Sequence, residues 1–353
     1  MKRLIVCIAL CAGPFGIALA DGEECSPTAA TRAAAAAQLK KADALEKSGK
    51  HKAAYDIVHN AACHDSEGPV ASGFETLRRK TAAALGAEAE AKGRFEEATK
   101  YYDESYDGIS LDRVHMKIAT AKPGDLERVR TGVGYFRRIQ DGLKKGAAED
   151  AKNMSADKAR RLADKAYRSR DDAYALGSDR AARLKAIPGY LKTLQGIATK
   201  NAERYLAEDD KIFKARKTSL TAKVSSVEEL GKAQSWLSVF GEERRANERA
   251  IQRGDTLLKD DSRVSLQLAI EYYQLARNGA GERKVRDKAR ALGDASLKKG
   301  EKKLAADYYQ IAGMDDKAHA IEQAHEAETE KAEAKRQTKF KQDQKSLEKE
   351  LGL

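Results

Sequence analysis

Apolar residues recur along this chain at helical spacing almost from end to end. After a run of Ala, Leu39, Ala42 and Leu45 share one helical face, and Gly49 interrupts the pattern. Ala54, Tyr55, Val58 and Ala61 mark a second helix over about Lys52 to Ala62. Gly68-Pro69 and Gly73 punctuate a loop from His64 to Gly73. A further helix pair covers Phe74 to Tyr106 and turns at Lys92-Gly93. Asp107 to Gly124 is the least regular stretch and ends on the breaker Lys122-Pro123-Gly124. Beyond it, Leu126, Val129, Val133, Phe136 and Ile139 keep helical spacing to about Leu143. Ser155 reads as the cap of the next helix, whose stripe is Leu162, Ala166, Ala173 and Leu176. Pro188 reads as the opening of a long helix through Leu194, Ile197, Tyr205 and Phe213. Ser226 with Glu229 reads as a capping box. No segment sustains two-residue alternation, so the expectation is an all-α chain without sheet.

Two segments repeat each other. Ala84-Leu85-Gly86, Lys92-Gly93, Ala98 and Tyr101-Tyr102 return as Ala291-Leu292-Gly293, Lys299-Gly300, Ala305 and Tyr308-Tyr309. Ala269 to Ala276 parallels Ala305 to Ala312 at a spacing of about 36 residues. This pattern resembles the tetratricopeptide repeat, a helix-turn-helix unit of about 34 residues. Gly86, Gly93, Ala98, Tyr102 and Ser105 take the family's small, turn and packing positions, as do Gly293, Gly300, Ala305, Tyr309 and Ala312. Ala82 and Ala289 stand where the family carries an early aromatic, and its closing Pro is absent. The resemblance covers the two ends of the chain. It implies an α-solenoid of helical hairpins with a general binding role, and it names no partner. Since one amphipathic hairpin cannot bury its apolar face alone, stacked neighbours must do so. The Tyr-Tyr pairs are expected to fill those cores.

Composition adds a compartment. Lys2 and Arg3, the apolar run Leu4 to Leu10 and the small-residue site Ala18-Leu19-Ala20 read as an export signal, so the mature chain is expected to begin at Asp21 in the periplasm. Cys7 and Cys11 leave with that signal. Cys25 and Cys63 remain, and a disulfide between them is expected. The start of one hairpin helix lies beside the end of its partner, which suits the separation a disulfide requires. Two free thiols, or a bond to another chain, are the alternatives.

The 353 residues hold 66 Lys+Arg against 55 Asp+Glu. By region, residues 21–123 come to about −2, 124–223 to about +10, 224–313 to about +3 and the tail to about −2. The sequence therefore divides into a leader (1–20), N-terminal hairpins (21–107), a basic middle of long helices (108–223), C-terminal hairpins (224–313) and a charged C-terminal helix (314–353). Within the middle, Lys158, Arg161, Lys165 and Arg168 fall at spacings of three and four and predict one basic face. Arg137 and Arg138, beside Tyr135 and Phe136, predict a second, basic-aromatic patch.

Catalytic signatures are missing from the sequence. There is no Gly-x-Ser-x-Gly elbow. His59, Cys63 and His64 are too few for a metal site if Cys63 is paired, and His319 and His325 do not share a helical face. No cofactor is expected. The reading favoured by these features is a non-catalytic periplasmic scaffold or adaptor that binds another envelope protein. A cationic module docking on anionic lipid or envelope polysaccharide is the alternative, and an enzyme with an unrecognised site is a third. Nucleic acid is not an expected partner of an exported chain.

Overall fold

The computed structural model describes residues 29–61, 69–161, 170–215 and 220–351, with side chains at 149–178, 216–225 and several positions beyond 344 left aside. Among the described residues there are thirteen helices and no strand. The chain is all-α.

The described residues fall into two compact units. One comprises those within Met1–Ile118 and Tyr167–Arg183, the other those within Ala119–Ala166 and Leu184–Leu353.

The first unit is built from α1 (Ala29–Lys47), α2 (His51–His59), α3 (Pro69–Ala91), α4 (Phe95–Glu104) and most of α5 (Gly108–Thr120). Helices α1 and α2 pack on each other, α3 packs on both, and α4 packs on α3. Gly49 (φ 75°) and Gly93 (φ 71°) form the two turns as expected. Their left-handed backbone is one that only glycine adopts without strain. Ala35, Ala42, Val58, Phe74 and Leu77 make one small core, and Ala89, Ala98, Tyr102 and Val114 another. The stretch expected to be irregular, 107–124, is instead helix α5 up to Thr120. Its Val114 is fully buried and its buried Asp112 accepts two hydrogen bonds from Arg183, from Nε at 2.7 Å and Nη2 at 2.9 Å. Ser110 and Val114 are buried on one side of this helix and Asp112 and Ala119 on the other, a two-sided burial that its weak apolar periodicity does not advertise. Helix α3 likewise begins at Pro69, inside the expected loop.

The second unit holds α6 (Leu126–Arg161), most of α7 (Arg170–Lys214), α8 (Leu220–Ser238), α9 (Arg244–Leu257), α10 (Arg263–Leu275), α11 (Gly279–Lys298), α12 (Lys302–Ile311) and α13 (Asp315–Leu351). The expected helix breaks at Ser155 and Pro188 do not occur: α6 runs through the first and α7 through the second. Proline removes one backbone bond. Ile187, Leu194, Ala198, Ala202 and Leu206, all buried along α7, offset that loss. Beyond α7 the helices follow a regular succession. Each of α8 to α13 packs on the next, and α8 with α10, α9 with α11 and α10 with α12 pack at one remove. Gly300 (φ 80°) turns α11 into α12 as expected. Left-handed residues also stand at the evenly spaced positions Gly241, Arg277 and Gly313, where α8, α10 and α12 end.

Tyrosine supplies the bulk in these cores. Tyr102, Tyr272, Tyr273 and Tyr309 are almost wholly buried, among Ala98, Ala269, Ala305 and Ala306. A buried phenol needs a partner for its hydroxyl. Tyr102 donates to Glu90 Oε2 at 2.8 Å, Tyr273 to Asp255 Oδ1 at 2.6 Å and Tyr309 to Asp294 Oδ1 at 2.5 Å. In each hairpin a glycine of the first helix makes room for the ring of the second: Gly86 for Tyr102, Gly254 for Tyr273, Gly293 for Tyr309. The Tyr-Tyr motifs are therefore core elements, as their position in the repeat led us to expect.

Candidate binding surface

Arg137 and Arg138 are exposed on α6, and Lys144 and Lys145 follow them, also exposed. None of the four forms an ion pair among the described residues. The Arg137 guanidinium lies 5.4 Å from the centre of the Phe240 ring. The patch does not include both expected aromatics, because Phe136 is fully buried and packs 5.1 Å from Tyr190. Lys158 and Arg161 lie in the last turns of α6, where only the backbone is described. Lys165 and Arg168 lie outside the described residues, as do Cys25, Cys63 and the export signal. The four side chains of the expected stripe thus all lie outside the described ones.

A different arginine arrangement is assembled, on α9 and α11. Along α9, Arg245, Arg249 and Arg253 stand one helical turn apart and meet carboxylates of α7. Arg245 pairs with Glu203, Arg249 with Asp210 at 3.2 Å, and Arg253 with Asp210 and, at 3.1 Å, with Asp209. Arg249 also donates to the Leu206 carbonyl at 2.9 Å. Asp209 is fully buried and accepts a 2.6 Å hydrogen bond from Ser226, whose own hydroxyl accepts one of 2.6 Å from Tyr272. The Arg253 guanidinium lies 3.8 Å from the centre of the Phe213 ring. Ser226 is therefore not a helix cap. It sits inside α8 and its side chain is spent on Asp209.

Along α11, Arg283, Arg286 and Arg290 follow one another at spacings of three and four, and Arg290 is close enough to Asp294 to help hold its carboxyl low. Arg283 and Arg290 are exposed and Arg286 is half-buried. None of the three forms a hydrogen bond or ion pair among the described residues. Arg286 lies against the turn at Gly313, where any side chain would collide with its guanidinium. On the same helix Asp287 stands four residues from Arg283 and three from Arg290, and Asp294, four from Arg290, is occupied by Tyr309 and by Lys317 Nζ at 3.2 Å. The Tyr309 hydroxyl first, then Lys317, holds the Asp294 carboxyl below the usual carboxylate range. Leu297, 37% exposed, continues the row one heptad beyond Arg290. Charge counted by region hid this row, because α11 interleaves it with Asp287 and Asp294. The spacing of Arg283, Arg286 and Arg290 is the signal that finds it.

Among the described residues, no group of three or more His, Cys, Asp and Glu side chains is placed to hold a metal ion, and no helix is long and apolar enough to cross a membrane. The two best-formed concavities are open grooves. One is lined by Gln38, Lys41, Asp56, Ile57, Asn60 and Ala61, the other by Arg336, Gln337, Phe340 and Lys341. No protein-family model, no curated protein and no solved structure matches this chain.

Proposed function

We propose that this protein is an exported, non-catalytic scaffold of the cell envelope, an α-solenoid of TPR-like hairpins that holds another protein. The observation that carries this reading is the recurrence of one packing device. In α3–α4, α9–α10 and α11–α12 a glycine of the first helix receives a tyrosine ring of the second, and the tyrosine hydroxyl is tied to a carboxylate on the first helix. Such units gain most of their stability from neighbours and leave extended faces for partners. The periplasm follows from the sequence signal alone, and no catalytic, metal or cofactor residue is assigned.

A second reading, docking on anionic lipid or polysaccharide, draws on Arg137, Arg138, Lys144 and Lys145, which are exposed and form no ion pair among the described residues. Capture of envelope components on the immobilised mature chain at low and at high salt separates the two. A protein retained at high salt supports the scaffold. Capture of lipid or polysaccharide that disappears as salt rises supports cationic docking. Recovery of no envelope protein at either salt overturns the scaffold reading.

A further inference from the structure

We propose that the α11 row Arg283, Arg286 and Arg290, with Leu297 at its end, is a docking site for an acidic helix of a partner protein. This rests on the scaffold reading and gives the partner a chemistry. The argument begins with α9, where the same protein displays an equivalent row already engaged. Arg245, Arg249 and Arg253 each meet a carboxylate of α7, helix against helix, through Glu203, Asp209 and Asp210. Planar guanidinium groups at one-turn spacing match carboxylates at one-turn spacing on a facing helix. The α11 row stands at spacings of three and four rather than four and four, none of its members forms an ion pair among the described residues, and two of its three arginines are exposed.

Three further features narrow the occupant. Asp287 is exposed and Asp294 half-exposed on the same helix, and both would be held against negative charge under a uniformly anionic surface. A discrete helix can place its carboxylates between them. Leu297 offers an apolar contact at the end of the row, which fits the apolar face of an amphipathic helix. Arg286 is held against the Gly313 turn, so the centre of the row is positioned before any partner arrives. The partner is therefore a helix with Glu or Asp one turn apart and an apolar residue about two turns further on.

The test uses the full mature chain and a synthetic helical peptide carrying three Glu at one-turn spacing followed by Leu. Its Gln counterpart and vesicles of phosphatidylglycerol serve as the other probes. The Glu peptide is expected to bind, the Gln peptide to bind at least tenfold more weakly, and the R283E/R290E variant to lose the Glu peptide by at least tenfold. A peptide with Lys in place of Glu should in turn bind the reversed variant, which a merely misfolded protein would not do. Absence of Glu-peptide binding to the wild-type chain overturns the proposal, as does equal binding by the reversed variant. Vesicle binding that the reversal abolishes, without peptide binding, assigns the row to lipid and also overturns it. If R283E/R290E still captures the same envelope protein as the wild type, the scaffold reading stands and this site falls.

Discussion

The ring of Tyr273 occupies the space that a side chain at Gly254 would need. A Cβ there would lie 2.8 Å from Tyr273 Cζ. The ring has little room to swing aside, because its Cδ1 and Cε1 lie against Gly281 on α11 and its hydroxyl is tied to Asp255. One tyrosine thus joins α10 to the helix before it and the helix after it.

Replacing Gly254 by Ala is therefore expected to destabilise the protein. Overpacking costs about 1–3 kcal/mol, which outweighs the gain of up to about 1 kcal/mol from removing a helical glycine. Gly134 on α6 provides the control, since a Cβ there meets nothing within 4 Å. Gly134→Ala should stabilise by about 0.4–1 kcal/mol. Denaturant unfolding of the two variants checks both signs.

The turns at Gly49, Gly93 and Gly300 were legible because their left-handed backbone favours glycine, and glycine stands there. The turns at Tyr106 and Arg277 were not, because they adopt the same conformation (φ 57° and 53°) with ordinary side chains. The Tyr106 ring is exposed and covered by Arg79, whose guanidinium lies 4.6 Å from the ring centre. Pro188 and Ser226 misled for a shared reason. Each carries a local terminus signal, and tertiary burial around Ile187 and Asp209 overrides it. The arginines of α11 do not stand out by regional charge, because residues 224–313 come to only about +3 against about +10 for 124–223; their lack of ion pairs among the described residues is visible only in the folded chain.

Acid should weaken the first unit through Glu90. Its carboxylate receives Arg113 Nε at 2.9 Å and Nη2 at 2.8 Å, Lys117 Nζ at 2.8 Å and the Tyr102 hydroxyl at 2.8 Å. The Arg113 guanidinium above all holds this carboxyl at about 2. A folded pKa below the unfolded value means that the unfolded chain takes up the proton first. The stabilisation is complete above about pH 4.5 and is lost as pH falls towards about 2. Glu90→Gln should flatten that part of the stability profile, and an undiminished acid slope in the variant would contradict this assignment.

Alkali should act on the same cluster with the opposite sign. Burial, followed by the bond to Glu90, pushes the Tyr102 phenol up to about 12. Here the folded state keeps its proton longer, so this contribution is present below pH 10 and is lost as pH rises to about 12. Tyr102→Phe should remove this alkaline dependence and cost about 1 kcal/mol at neutral pH for the lost hydrogen bond. Unfolding followed from pH 8 to 12 measures it.

Export and the disulfide can be read in one measurement on the secreted chain. Its intact mass should correspond to a start at Asp21, and denatured, non-reduced protein should show no titratable thiol at Cys25 or Cys63. A mass retaining Lys2, two reactive thiols, or a dimer that separates on reduction would each contradict the sequence reading.

The buried charges of the second unit should behave as one group. Asp209 is fully buried, and its oxygens are taken by Ser226 and by Arg253, whose guanidinium in turn lies on Phe213. Removing one member of a buried ion pair leaves the other desolvated and uncompensated, at about 3–5 kcal/mol. Arg253→Met should therefore cost about that much, even though Met fills most of the space. Asp209→Asn keeps a hydrogen-bonding group for Ser226 and should cost less, about 1–3 kcal/mol. With both changes made, no unpaired charge remains at Asp209, so the double variant should be more stable than the two single losses predict, by about 0.5–3 kcal/mol. Strict additivity in that cycle would mean that Arg253 serves Asp210 and the Phe213 ring rather than Asp209, and that Ser226, with Arg249 at 3.9 Å, satisfies the buried carboxylate.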